Sequence, residues 1–191
     1  MPRIILASGS PRRRELLAKL YDKFEIITSD VDESLDDGVT PISGVEILAV
    51  RKGRAVADTL PAECVVISSD TLVEIDGTPL GKPTSFDDAF GMLRRLSGNY
   101  HSVHTGIAVH YGGRVISGVA SARVKFKPLS DEQIRAYIEG GEPMDKAGAY
   151  AIQGEGGRFI EGYDGDFDTI MGLSVSLTKE LVDTVIGVDN D

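Results

Sequence analysis

An α/β fold is what this 191-residue sequence predicts, and three observations point there. Ile4 to Ala7 is a short apolar run leading through Ser8-Gly9-Ser10 into Pro11, the strand, tight loop and helix order of an α/β unit. Cys64 to Ile67 is a continuous apolar run, the pattern of a strand buried on both faces. Between and after these stretches, capping residues open amphipathic helical segments. The 41% hydrophobic content supplies a core for one domain over residues 1–191, with room for a flap or subdomain.

Taken in order, Ser10 and Pro11 are the pairing expected of an N-cap and a first helical position, so a helix starts at Pro11. Its first turn carries Arg12, Arg13 and Arg14, where Asp or Glu would suit the exposed N–H groups. Each misplaced cation costs roughly 0.3–1 kcal/mol, which makes sense if an anion, most simply a phosphate, sits over the turn. A solvated basic helix start is the alternative, and these residues alone leave it open.

Phe24 to Thr28 reads as a second strand, followed by the acidic loop Ser29 to Gly38. Asp36 and Asp37 suit turn chemistry, while Asp32-Glu33, directly after a strand, is a metal or catalytic candidate. Ser43 and Glu46 have capping-box spacing and open a helix to about Leu60. Lys52 lies on it and taken alone is an ordinary exposed lysine. The apolar run at Cys64 ends in Ser68-Ser69-Asp70-Thr71, which puts Asp70 at the carboxyl end of a strand, as Ser8 and Glu33 are, where ligands of open α/β sheets collect. Leu72–Ile75 and Thr78–Leu80 flank Asp76-Gly77, a hairpin signal, and Gly81-Lys82-Pro83 carries Lys82 on a stiff turn.

Ser85 caps a helix from Phe86 to Leu96, closed by Arg94, Arg95 and Gly98. Alternation from Tyr100 to Lys127, broken at Gly112-Gly113, predicts a long hairpin or meander, with His101, His104 and His110 on the sheet surface rather than as zinc ligands. Ser130 and Gln133 form another capping box, and Gly140-Gly141 stops that helix. Residues 143–157 are glycine-dense around a short apolar segment ending in Gln153, which suits a loop folded over a ligand more than a flexible surface loop. Phe159–Tyr163 reads as a strand, Leu173–Val185 as a final helix, and Gly187–Asp191 as a frayed tail.

Composition narrows the functional classes. A formal net charge of −10 disfavours a nucleic-acid polymer as partner, because such binding neutralises many phosphates, yet a single nucleotide can be held by local Arg and Lys, and surplus carboxylates can hold a divalent metal. No apolar run approaches the ~20 residues of a membrane helix, and charges beginning at Arg3 do not suit a signal peptide, so a cytoplasmic location is expected. The lone Cys64 reads as a small buried strand residue.

Leu6-Ala7-Ser8-Gly9-Ser10-Pro11-Arg12-Arg13, Asp32-Glu33-Ser34, Lys52, Ser69-Asp70-Thr71, Gly81-Lys82-Pro83, Leu96-Ser97-Gly98 and the segment from Gly141 to Gly154, in this order, resemble the Maf family of nucleoside triphosphate pyrophosphatases, in the branch acting on dTTP and UTP. The chain departs from the pattern at Gly165-Asp166-Phe167 and Gly172-Leu173-Ser174, where G-S-Y and G-L-P are expected. The resemblance implies an elongated α/β fold around a large mixed, twisted sheet with flanking helices and a cleft between two lobes, related to inosine triphosphate pyrophosphatases and assembled as a homodimer. It implies hydrolysis between the α and β phosphates to a monophosphate and pyrophosphate, with Mg²⁺ or Mn²⁺. By matching positions, Ser8, Ser10 and Arg13 cradle phosphate, Lys52 and Lys82 neutralise the chain, Glu33 and Asp70 serve the metal, and Asp70 accepts the proton. Arg12, Thr71 and Gln153 match the selectivity positions. For Gln153 a physical reason exists: its amide can donate to a pyrimidine carbonyl while accepting from the ring N–H. Rival readings are the 7-methyl-GTP branch, against which Gln153 speaks, and a nucleotide-sensing division regulator without turnover. An aspartyl-phosphate phosphatase would want a second Asp where Leu72 stands.

Overall fold

The computed structural model describes residues 2–187, so all of the expected C-terminal tail except Gly187 lies outside the described residues. Seven strands of the described residues form one mixed sheet: β1 (Ile4–Leu6), β2 (Glu25–Ile26), β3 (Val65–Ile75), β4 (Thr78–Leu80), β5 (Tyr100–Tyr111), β6 (Arg114–Phe126) and β7 (Ile160–Asp164), in the order β2-β1-β3-β5-β6-β7 with β4 paired to β3. β1 runs parallel to β2 and β3, whereas β4 and β7 pair antiparallel with β3 and β6. Among the described residues, six α-helices accompany them: α1 (Pro11–Leu17), α2 (Pro41–Ala57), α3 (Phe86–Leu96), α4 (Asp131–Glu139), α5 (Phe167–Met171) and α6 (Val175–Ile186). No described helix is long and apolar enough to cross a membrane.

The chain gathers into two compact units, to both of which the long strands β3, β5 and β6 contribute. The first comprises the described residues up to Asp70, Thr105–Ala120 and those from Gly172 on. Its core includes Ile5, Ala7, Val56, Cys64 and Val66; Cys64 is a buried, free cysteine as expected, but it stands just before β3 rather than within it. Here α1 starts as expected, with the Ser10 side chain accepting from Arg13 N and Pro11 in the first turn. The cap of α2, however, is Thr40, which accepts from Ser43 N, so Ser43 is inside the helix rather than opening it. Glu46 does not close a capping box; it accepts from the Ser117 hydroxyl at 2.7 Å. The second strand shrinks to two exposed residues.

The second unit comprises Thr71–His104 and Ser121–Met171. Its larger core joins Val73, Leu93, Leu96, Phe126, Ile134, Tyr137, Tyr150 and Phe159, with Phe126 meeting Tyr150 edge-on at 4.9 Å and Tyr137 meeting Phe159 at 5.0 Å between ring centroids. The Asp76-Gly77 hairpin forms with both residues at positive φ, 51° and 73°. The Ser130–Gln133 capping box is complete in both halves. Residues 142–159 fold into three 3-10 turns and bury Ala149 and Tyr150, so this is not a loose surface loop.

Two further expectations need correction. Asp70 is not at a strand end: β3 continues from Val65 to Ile75, and Ser68, Ser69 and Asp70 are all buried within it. The strand tolerates this polar run because the side chains find distant partners. Ser68 Oγ donates to the Ala49 carbonyl at 2.7 Å, and Ser69 Oγ to that of Gly172 at 3.0 Å. The three histidines are also buried rather than on the sheet surface. His101 Nε2 meets the Tyr150 hydroxyl at 2.8 Å, and His104 lies between Ser121 and Glu74 at 2.7 and 3.0 Å. They stay apart from one another chemically, and among the described residues no group of three or more His, Cys, Asp or Glu gathers for a metal.

Candidate active site

The first unit collects most of the polar residues singled out above. Lys52 projects from the last third of α2, and its Nζ lies 2.5 Å from Asp70 Oδ1 and 2.9 Å from Glu33 Oε1. Asp70 is 9% exposed, while the Glu33 side chain is more than half exposed, so one ammonium links a fixed carboxylate to an accessible one. An exposed pair of this kind contributes little, whereas the Lys52–Asp70 pair sits where solvent screens it less and geometry holds it. Lys52 is therefore no ordinary surface lysine.

The acidic loop divides its work. Asp32 turns inward on the loop, its two oxygens accepting from Ser34 N at 2.9 Å and Ser34 Oγ at 2.7 Å, and those bonds hold its carboxyl below the usual range. Arg51, next to Lys52 on α2, donates to the Ser34 carbonyl at 2.8 Å and also to that of Asp32. With the flanking backbone tied, Glu33 is the carboxylate of the pair that reaches Lys52. Sequence reasoning missed Arg51, because nothing in its helical position advertises a loop 17 to 19 residues earlier as its partner.

Around the start of α1, the helix spans only seven residues, so side chains rather than a long helix dipole define the local electrostatics. Arg13 turns back, donating from Nε to the Gly172 carbonyl at 3.0 Å and from Nη1 to Ser8 Oγ at 3.3 Å. Ser8 Oγ also accepts from Ser10 N at 3.3 Å. Burial lowers the Arg13 pKa from its ordinary value and Arg12 adds to the lowering, against the raising influence of Asp70 and Glu33. Arg13 thus shares an electrostatic neighbourhood with both carboxylates. Arg12 Nε is buried without a hydrogen-bond partner, an unusual state for a guanidinium donor and one that an anionic ligand would relieve. Gly172, the shared acceptor for Arg13 and Ser69, was noticed in the sequence only as part of a departure from the expected pattern.

The remaining candidates belong to the second unit. Thr71 follows Asp70 along β3, Lys82 is exposed after β4, and Gln153 is exposed in the turn between Ala151 and Gly154. Asp166, at the other departure, caps a helix the sequence reading did not anticipate: its carboxylate accepts from Asp168 N at 3.1 Å and Thr169 Oγ1 at 3.0 Å at the start of α5.

A family profile described as Maf-like protein matches residues 3–185. A dTTP/UTP pyrophosphatase of Moorella thermoacetica is 47% identical over 191 residues, 99% of this chain and 97% of that protein. One of Pelotomaculum thermopropionicum is 45% identical over 184 residues, covering 95% and 96% of the two chains. Among solved structures, the Staphylococcus aureus Ham1 protein aligns over 73% of this chain and 99% of that chain, with a TM-score of 0.49 at 18% identity.

Proposed function

The chain belongs to the Maf-like protein family, and on that premise we propose that it hydrolyses nucleoside triphosphates, dTTP and UTP foremost, between the α and β phosphates to a nucleoside monophosphate and pyrophosphate. The observation that carries this reading is the Glu33–Lys52–Asp70 chain beside the Ser8–Arg13 group. Attack by water on a polyanion needs cations to offset the phosphate charge and a base to take the proton. Lys52, Arg12 and Arg13 supply the first and Asp70 the second. The water oxygen bonds to phosphorus as the bridging anhydride oxygen leaves with the departing product, and Asp70 holds the proton released from the water.

A divalent metal fits these residues. Glu33 and Asp70 both reach the Lys52 ammonium, and their hard oxygen donors suit Mg²⁺ or Mn²⁺, which takes one or two carboxylates and completes its shell with phosphate oxygens and water. Bound there, such an ion would neutralise charge on the phosphate oxygens. Ser8 and Ser10 offer hydroxyls at the same group, and Lys82 is assigned to charge neutralisation by motif position. Arg12, Thr71 and Gln153 are assigned to base selection, Gln153 because its amide matches the donor and acceptor pair of a uracil or thymine edge.

The test is a substrate panel of dTTP, UTP, CTP, GTP, ATP and 7-methyl-GTP with Mg²⁺, resolving monophosphate, pyrophosphate and orthophosphate. Equal monophosphate and pyrophosphate from dTTP and UTP are expected, with Asp70→Asn slowing turnover by about 10²–10⁴-fold while nucleotide binding persists. Orthophosphate as first product, a preference for 7-methyl-GTP, or binding without turnover would overturn the reading.

A further inference from the structure

Gln153 is exposed in its turn, so something other than its own packing must fix where its amide points. The two flanks of the turn are held by different devices. Three residues earlier, the Tyr150 hydroxyl is tied to His101 Nε2 at 2.8 Å inside the aromatic core. Just beyond it, a single carboxylate gathers the chain: Glu142 Oε1 accepts from Glu155 N at 3.0 Å, and Oε2 from Gly156 N at 3.0 Å and from the Tyr137 hydroxyl at 2.6 Å. Gly154 leaves the space this requires, since a Cβ there would lie 1.8 Å from Glu142 Oε1. The segment that opens at Glu142 is thereby closed on itself at Gly156, with Gln153 at its tip.

We infer that Glu142 is a positioning residue for base selection, acting through the Gln153 turn rather than on the substrate. Three donors point at this one side chain, and only a carboxylate accepts from all of them. A glutamine would present its own NH₂ to at least one donor. Tyr137 is in turn fixed in the core, so the clamp links the exposed turn to buried, rigid structure, which is what a selectivity group needs. The inference rests on the pyrimidine-selective reading above and adds to it the residue that aims the selecting amide.

The experiment measures kcat and KM for UTP, dTTP, CTP and GTP with Mg²⁺ on the full chain. The variants are Glu142→Gln, Gly154→Ala and Tyr137→Phe, each also in a Gln153→Ala background, with thermal midpoints recorded alongside. Glu142→Gln is expected to raise KM for UTP about tenfold, to change kcat much less, and to collapse the UTP-over-CTP ratio of kcat/KM by a similar factor. Gly154→Ala, which displaces the carboxylate without altering it, should do the same, and Tyr137→Phe should act in the same direction by less. In the Gln153→Ala background these losses of selectivity should vanish, because coupled residues are non-additive. Should Glu142→Gln fail to fold, Gly154→Ala and Tyr137→Phe carry the test. An unchanged UTP-over-CTP ratio in the folded variants, or full additivity with Gln153→Ala, overturns the inference while leaving the proposed reaction standing. A wild-type chain without dTTP or UTP turnover overturns both.

Discussion

The stretch from Ala7 to Arg13, a loop running into the first turn of α1, and the stretch from Glu142 to Gly156, a series of 3-10 turns, are held in opposite ways. The first is fixed by one long side chain reaching across the sequence, Arg13 to the Gly172 carbonyl, and it leaves Arg12 Nε buried without a partner. The second closes through its own Glu142 and sinks Ala149 and Tyr150 into the core. Polar capacity is left over in the first and used up in the second. A segment of leftover donors is completed by a ligand, whereas a segment that has satisfied itself can serve as a rigid mount for one exposed side chain.

Substitutions sharpen this contrast when they separate stability from activity. The largest effect on stability is expected at Gly148, which holds φ +67° and whose added Cβ would meet Val73 Cγ2 at 2.8 Å. Gly148→Ala should lower unfolding free energy by about 2–4 kcal/mol in urea titration, through left-handed strain and overpacking together. A change below about 1 kcal/mol would show that the segment is less tightly mounted than described.

Next comes the His101 anchor. Burial pushes this imidazole down from 6.5 to about 4. The unfolded chain then takes up a proton that the folded one refuses, so the associated stability is intact above pH 6.5 and is lost progressively as pH falls toward 4. The loss is on the order of 3 kcal/mol at its limit. His101→Phe should flatten that part of the stability curve measured between pH 7 and pH 4, and an unchanged slope would assign the pH dependence to other groups.

The smallest free-energy change, with the opposite signature, is expected from Arg13→Lys. A lysine keeps the charge but cannot donate to Gly172 and Ser8 through a fixed fork. We expect kcat/KM for dTTP to fall by about 10–100-fold, with the thermal midpoint nearly unchanged. A large drop in thermal midpoint with full activity in the folded fraction would erase the distinction between the two segments.

What the sequence by itself determined is what depends on neighbours within about four residues. Ser10, Ser85 and Ser130 cap the helices they were expected to cap, and Asp76-Gly77 turns the hairpin, because a side-chain oxygen and a nearby N–H, or two positive φ angles, need no distant partner. The motif order was equally legible, since it is a property of the linear chain. Tertiary structure alone decided that β3 runs on through Ser68, Ser69 and Asp70, because the acceptors that make those polar groups tolerable lie at Ala49 and Gly172. It likewise buried three histidines beside partners 17 to 49 residues away where bonds are made. It also joined Glu33, Lys52 and Asp70. Burial is a property of the whole packed chain, and it pairs a lysine and an aspartate that look unrelated in the sequence only when residues far apart along the chain close around them.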